Sequence, residues 1–216
     1  MSRRSSIARD AIVAILSALV FFWLASIVRN DAVPPFDTAL RDAIHGLASP
    51  PLTAFMDAMT QLGSGWLIFP LSAILAFRLA RQERRREAAL LILAVVGAKL
   101  LEQILKTQFH RLRPDPFFDY PRPGSFSFPS GHALLSCSFY PTIAWILPPP
   151  DWPLARTWTV RALAILLTLC IGFTRVYLGV HYPIDVLGGY AGAIAWTSIV
   201  RAGLKVSVPA QAARRL

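Results

Sequence analysis

Charged residues and cysteines are scarce in this chain of 216 residues, and each shortage restricts its class. Only 16% of the residues are charged, against ~25% in typical soluble domains, while 55% are hydrophobic. Cys137 and Cys170 both lie within apolar stretches, which favours helix packing over the alternative of a disulfide. A disordered chain and a disulfide-stapled secreted domain are therefore excluded.

Acidic residues are also few, because 12 Asp and Glu stand against 22 Lys and Arg, for a formal net charge of +10. In a soluble protein this excess would indicate nucleic-acid binding. Here the cations cluster between long apolar stretches, which is the pattern of membrane topology. We therefore expect a bilayer and no nucleic acid as a partner.

Six apolar segments approach the ~20 residues that a helix needs to cross a bilayer. They are residues 11–28, 66–80, 87–109, 131–147, 158–173 and 182–203. The first is longer than the apolar region of a signal peptide and has no clear cleavage site, so we expect it to be retained. The predicted fold is all-α: one integral membrane domain over residues 1–216, with a core of about 11–203 and a tail at 206–216.

Residues 36–64, between the first two spans, are too polar to cross the membrane. Apolar residues recur there at helical spacing on both sides of Pro50 and Pro51, which predicts two short amphipathic helices in the outer interface. Either a lid over a site or core packing against the bundle would explain them.

The orientation follows from the connections, one set of which has about twice as many Lys and Arg as the other. The richer set should be cytoplasmic. We therefore expect a plasma (inner) membrane protein with both termini inside, and with residues 106–130 and 174–181 facing out.

Two cations mark the first outward connection, Lys106 and Arg113, followed by Pro114. If the third helix continues to Pro114, the two side chains lie two turns apart on one face and form an anion clamp. Ordinary juxtamembrane basic residues are the alternative.

The start of the fourth span carries a second motif. Ser130 is placed as an N-cap, and the N–H groups of Gly131 and His132 would be unpaired at a helix start, which favours anion binding. A capped helix alone would explain Ser130 and Gly131, whereas a histidine at a dry boundary needs a partner.

A third motif surrounds the start of the sixth span, with Arg175, His181 and Asp185. Asp185 follows His181 at i+4, so its carboxylate can reach Nδ1 and leave Nε2 free to attack or to accept a proton. A carboxylate that only complements the helix dipole is the alternative for Asp185. Several cations surround these groups and would repel a metal ion, so we expect no metal and no cofactor.

Within the third span, Glu102 lies at i+3 from Lys99 and at i−4 from Lys106. A charge at this depth needs a partner, so Glu102 either forms a structural ion pair or positions Lys106 beneath a bound anion.

Together the three motifs, Lys106-x6-Arg113-Pro114, Pro129-Ser130-Gly131-His132 and Arg175-x5-His181-x3-Asp185, resemble the signatures of the type 2 phosphatidic-acid phosphatases, which share a site with vanadium haloperoxidases. The resemblance covers roughly the whole chain, and Thr174 stands where the family usually has Ser. It implies that His181 is the phosphoryl-accepting nucleophile, oriented by Asp185, and that His132 is the general acid. It also implies a set of phosphate-binding groups: Lys106, Arg113, Ser130, Gly131 and Arg175.

The resemblance implies a metal-independent lipid phosphatase. An outward site suits undecaprenyl diphosphate, and phosphatidylglycerophosphate, phosphatidate and the lipid A 1-phosphate are alternatives. A lipid phosphotransferase and a non-enzymatic lipid transporter on the same fold are the rival classes, and a haloperoxidase is disfavoured because those relatives are soluble.

Overall fold

The computed structural model describes residues 3–29, 33–149 and 151–206, and every regular element in these ranges is a helix. The helices are α1 (Arg3–Val28), α2 (Pro35–His45), α3 (Pro50–Gln61), α4 (Gly65–Arg81), α5 (Arg85–Phe109), α6 (Gly131–Ile146), α7 (Leu154–Tyr177) and α8 (Pro183–Val206). The all-α prediction is confirmed. Most of the predicted tail lies outside the described residues.

Within the described ranges, three helices are long and apolar enough to span a membrane, namely α1, α5 and α7, and the chain is a multi-pass membrane protein. The pair α3 and α4, bent by 42° at a short break, would make a fourth span if counted as one. This is fewer than the six predicted spans. Helices α4 and α6 are not among the three long apolar helices because they are short, with 17 and 16 residues. Helix α8 is long enough, but Asp185 and several glycines lower its hydropathy.

Helix α8 is the centre of the bundle and packs against α1, α5, α6 and α7. Small residues cover its buried face, which allows the neighbouring backbones to approach closely. They include Gly188, Gly189, Ala191, Gly192 and Ala193. At Gly188 a Cβ atom would overlap the ring of Phe128, so this close approach needs a glycine. A helix shielded on so many sides can be less apolar than one facing lipid.

The segment between α1 and α4 forms two short helices, as predicted, and each begins with a proline in its first turn. Ile44 of α2 and Met56 of α3 are buried in one cluster with Val176 and Leu178 at the end of α7. Thr53 of α3 hydrogen-bonds the Tyr177 hydroxyl at 2.8 Å. The two helices therefore pack as part of the core at the end of the bundle where α5 and α7 end and α6 and α8 begin.

Candidate active site

A cavity of about 580 Å³ opens at this end of the bundle, next to α4, α5 and α6. Seven of the predicted site residues line it: Glu102, Lys106, Arg113, Gly131, His132, Arg175 and His181. Asp185 and Ser130 are fully buried beside the cavity. Residues from three separate stretches of sequence therefore meet at one site.

The route by which Arg113 reaches the cavity differs from the prediction. Helix α5 ends at Phe109, because His110 adopts a left-handed conformation with φ of 48°. Arg113 consequently lies in the loop that follows, and the prediction that it shares a helical face with Lys106 is wrong. Both side chains still line the cavity, since the loop folds back over the end of the bundle.

Arg113 is held by several contacts within this loop and the next. Its Nε donates to the carbonyl of Ser125 at 2.6 Å and its Nη1 to the carbonyl of Val180 at 2.8 Å. Burial, together with the charge of Arg175, lowers the pKa of Arg113 to about 10, so the guanidinium stays charged at neutral pH. A fixed cation therefore faces the cavity.

Lys106 and Glu102 form a buried pair on α5, with 2.9 Å between Nζ and Oε1. The second oxygen of Glu102 accepts a hydrogen bond from Lys99 at 2.8 Å, so the predicted partners of Glu102 are confirmed. Glu102 also lies against the start of α6, where a Cβ atom at Gly131 would overlap its carboxylate. Lys106 Nζ donates to the Ser125 hydroxyl at 3.1 Å, which fixes the ammonium group at the wall of the cavity.

Ser130 occupies the N-cap position of α6, but its side chain makes no capping hydrogen bond, contrary to the prediction. Its backbone N–H instead donates to the carbonyl of Asp185 at 2.9 Å, which joins α6 to α8. The Ser130 hydroxyl is buried and has no hydrogen-bond partner. A buried hydroxyl next to unpaired helix N–H groups is suited to an anion.

His181 lies in the turn between α7 and α8, and the structure confirms the predicted contact with Asp185. Nδ1 of His181 is 3.3 Å from Oδ2 of Asp185, and Nε2 is 2.9 Å from Nη1 of Arg113. Burial lowers the pKa of His181 to about 3, so the ring is neutral at neutral pH. Because a guanidinium can only donate, Nε2 carries the lone pair and Nδ1 carries the proton.

Three further residues complete this network and were missed from the sequence. Arg111 bridges two carboxylates, donating to Asp185 at 2.6 Å and to Asp37 of α2 at 2.7 Å. Ser127 donates to Oδ2 of Asp185. Burial alone would lower the pKa of Arg111, but the carboxylates of Asp185 and Asp37 outweigh this effect and raise the pKa. The only available signal was the surplus of cations in the loop after α5, which did not single out Arg111.

Arg175 reaches the cavity from the last turn of α7. Its Nη1 donates to the hydroxyl of Thr60 on α3 at 2.7 Å, while its buried Nε has no hydrogen-bond partner. The turn that follows α7 requires Gly179, which has φ of 75° and no space for a side chain against Phe117. This turn brings the N–H of His181 to 3.2 Å from the carbonyl of Arg175, so the two functional side chains are fixed relative to each other.

Within the described ranges, no three His, Cys, Asp or Glu side chains are grouped to hold a metal ion. The charged groups lining the cavity are mostly cations, which suit an anion. The predicted absence of a metal and of a cofactor stays a prediction.

The chain is similar to a known protein family and to several named proteins. The family model described as the PAP2 superfamily matches residues 87–206, which contain all three motifs. Phosphatidylglycerophosphatase B of Bacillus subtilis is 33% identical over 80% of this chain and 85% of its own length. The undecaprenyl-diphosphatase of Sulfolobus acidocaldarius is 28% identical over 73% of each chain. A lipid A 1-phosphatase of Rhizobium johnstonii is 32% identical over 72% of this chain and 68% of its own.

The chain also resembles solved structures. The crystal structure of a transmembrane PAP2-type phosphatidylglycerolphosphate phosphatase from Bacillus subtilis superimposes with a TM-score of 0.81 at 30% identity, over 91% of this chain and 98% of that one. The crystal structure of LpxE from Aquifex aeolicus superimposes with a TM-score of 0.56 at 27% identity, over 77% of this chain and 94% of that one. The chain belongs to the PAP2 superfamily, as its motifs predict, and these relatives are phosphatases. The predicted class of enzyme, a membrane phosphatase, is thereby confirmed.

Proposed function

We propose that the protein is an integral membrane lipid phosphatase, formed by one domain over residues 1–216, that works through a phosphohistidine intermediate. The observation that carries this proposal is the state of His181. Asp185 accepts a hydrogen bond from Nδ1 and Arg113 donates one to Nε2, so the unprotonated nitrogen faces the cavity. An incoming phosphate would take over the Arg113 hydrogen bond and meet the lone pair of Nε2.

The first chemical step forms a bond from Nε2 of His181 to phosphorus and breaks the bond from phosphorus to the lipid oxygen. His132 donates its proton to that leaving oxygen. In the second step the neutral His132 takes a proton from water, whose oxygen attacks phosphorus as the bond to His181 breaks. Inorganic phosphate leaves and both histidines return to their starting states.

Three cations would neutralise the charge on the phosphate during both steps, namely Lys106, Arg113 and Arg175. The Ser130 hydroxyl and the N–H of Gly131 would add hydrogen bonds from the start of α6. This assignment accounts for the buried donors of Ser130 and Arg175 that lack partners.

The topology we propose has six spans, in which α4, α6 and α8 cross together with α1, α5 and α7. Each of the three additional helices packs against at least one of the clearly apolar ones, so it need not be uniformly hydrophobic. We call the cavity lined by His132 and His181 the catalytic cavity. Basic residues are concentrated at the opposite end of the bundle, which supports cytoplasmic termini and an outward (periplasmic) site in the inner membrane. The helices α2 and α3 then lie at the outer interface.

The substrate class we propose is a lipid phosphate or diphosphate at the outer face. Undecaprenyl diphosphate is the first candidate because of the proposed orientation. Phosphatidylglycerophosphate is the second, favoured by the similarity to a Bacillus subtilis phosphatase of that lipid at 33% identity. Phosphatidate and the lipid A 1-phosphate complete the panel.

The test is phosphate release by the purified protein with each lipid supplied alone. We expect release without added metal, no release by His181→Ala, and an acid-labile phosphoryl group on His181 of the wild type. A second-lipid requirement for turnover would establish a phosphotransferase instead, and substantial activity in His181→Ala would refute the mechanism. Strict Mg²⁺ dependence after chelation would refute the role of the three cations.

A further inference from the structure

A second cavity, of about 470 Å³, lies at the end of the bundle opposite the catalytic cavity. It lies where α1 and α5 begin and where α6 and α8 end. Its lining is strongly basic. Five cations line it: Arg3, Arg9, Arg86, Arg201 and Lys205. We call it the basic cavity.

Two carboxylates balance only part of this charge. Asp10 of α1 is 3% exposed and pairs with Lys205 at 2.5 Å, with Arg201 at 3.3 Å and with Arg9 at 3.8 Å. Glu87 lines the cavity but pairs with Arg84 at 3.2 Å, outside it. Among the residues that the structure describes, cations therefore outnumber carboxylates around this space, and the pairing with Asp10 fixes several of them in place.

An apolar cavity of about 440 Å³ adjoins the basic cavity, and three residues line both: Leu90, Trp145 and Arg201. It extends along α6, α7 and α8 to Cys137 and Tyr190 near the middle of these helices. Its lining is mainly aliphatic and aromatic. The guanidinium of Arg201 lies 5.0 Å from the centre of the Trp145 ring, so the change from basic to apolar surface is sharp.

We infer that the two cavities together form a binding site for an anionic phospholipid, separate from the catalytic site. The phosphate would lie in the basic cavity and one acyl chain in the apolar cavity. A soluble anion would match only the first cavity and a neutral lipid only the second, whereas an anionic phospholipid is complementary to both. Basic cavities between helices at a membrane surface are typical of such lipids.

The inference does not depend on the proposed reaction, because the lining of the basic and apolar cavities contains none of the residues that line the catalytic cavity. In the orientation proposed above, the lipid would come from the inner leaflet.

The experiment measures binding to the delipidated, purified protein by native mass spectrometry, with phosphatidylglycerol, phosphatidylcholine and glycerol 3-phosphate as separate probes. We expect one tightly bound phosphatidylglycerol and weaker binding of the other two. The double variant Arg9→Gln/Arg86→Gln should bind phosphatidylglycerol about 30-fold more weakly, as ~1 kcal/mol for each removed cation predicts. Its matched control is Arg78→Gln/Arg81→Gln, which removes two exposed cations at the same end of the bundle, outside the cavity.

A second pair of variants tests the acyl chain. Ile194→Trp should fill the apolar cavity and weaken phosphatidylglycerol binding, while Ile199→Trp, on the lipid-exposed side of the same helix, should not. Lys106→Gln changes the catalytic cavity and should leave this binding unchanged. Equal binding of phosphatidylglycerol and phosphatidylcholine would overturn the inference. So would loss of binding in Lys106→Gln alone, or glycerol 3-phosphate binding as tight as that of the lipid.

Discussion

The replacement Asp185→Asn removes the negative charge beside His181 and changes the shape of the side chain very little. Oδ2 of Asp185 receives hydrogen bonds from His181, from Ser127 and from the backbone N–H of Tyr182, while Oδ1 receives one from Arg111. If the oxygen of the new amide takes the place of Oδ2, its NH₂ group faces Arg111, and two donors meet there. If the oxygen takes the place of Oδ1, the NH₂ group faces the three donors that Oδ2 had bound, which is worse.

The orientation of the ring is therefore retained in part, but the negative charge beside Nδ1 of His181 is lost. In the proposed mechanism, that charge would stabilise the positive imidazole ring that forms as Nε2 attacks phosphorus. By analogy with the buried carboxylate of serine proteases, we expect kcat to fall by about 10⁴-fold, or ~5.5 kcal/mol of transition-state stabilisation.

Asp37→Asn provides the matched control, because it removes the other carboxylate of Arg111 without touching His181. Breaking a buried ion pair on one side costs ~3–5 kcal/mol of stability. We therefore expect a lower Tm and a kcat within about tenfold of the wild type for the folded fraction.

The assay combines phosphate release at saturating lipid with thermal unfolding of the same samples. An Asp185→Asn enzyme within tenfold of the wild type would refute the orienting role. Equal losses of kcat in the two variants would show that Arg111, and not the contact with His181, transmits the effect.

Three further predictions concern stability, coupling and topology. Because burial lowers the pKa of His181 from 6.5 to about 3, the folded protein binds fewer protons than the unfolded chain. The free energy of unfolding should therefore fall as the pH is lowered from 6.5 toward 3, by up to ~1.4 kcal/mol per pH unit from His181. Chemical unfolding of His181→Gln at several pH values should show no such contribution. Glu102→Gln should lower turnover, and the double variant Glu102→Gln/Lys106→Ala should be no slower than Lys106→Ala alone. If the rate losses of the two single variants add up in the double variant, Glu102 is only a structural partner of Lys106. In a protein without its native thiols, Asp119→Cys should react with an impermeant thiol reagent in intact spheroplasts and Arg81→Cys should not, and the reverse pattern would invert the proposed topology.

Local spacing made one part of the site predictable. Asp185 reaches His181 because the two are four residues apart at a helix start, and Glu102 reaches Lys106 for the same reason within α5. Such contacts follow from helical periodicity alone. The resemblance to the family signatures then implied the roles that we propose for these residues.

Contacts between distant segments could not be predicted in this way. Asp37 and Arg111 are 74 residues apart. They meet because Arg111, in the loop after α5, pairs with Asp185 at the start of α8, and α2 packs against α8. The position of Arg113 depends on the left-handed His110, which no helix pattern indicates, and on carbonyls of Ser125 and Val180. The segment that forms α8 was predicted as a span, but its length and hydropathy do not identify it as one. Helix α8 packs against α1, α5, α6 and α7, and a helix shielded in this way does not need a uniformly apolar sequence.

In the proposed six-span topology, the shortness of α6 would set the depth at which the reaction takes place. With 16 residues it is ~24 Å long, less than the ~30 Å hydrocarbon core of a bilayer, whereas α7 has 24 residues and is ~36 Å long. In the proposed topology the bilayer is either thinned beside α6 or indented on the catalytic side. His132 and the start of α6 then lie below the level of the surrounding headgroups, so a lipid phosphate would sink toward the enzyme to react, and membrane thickness itself should modulate turnover.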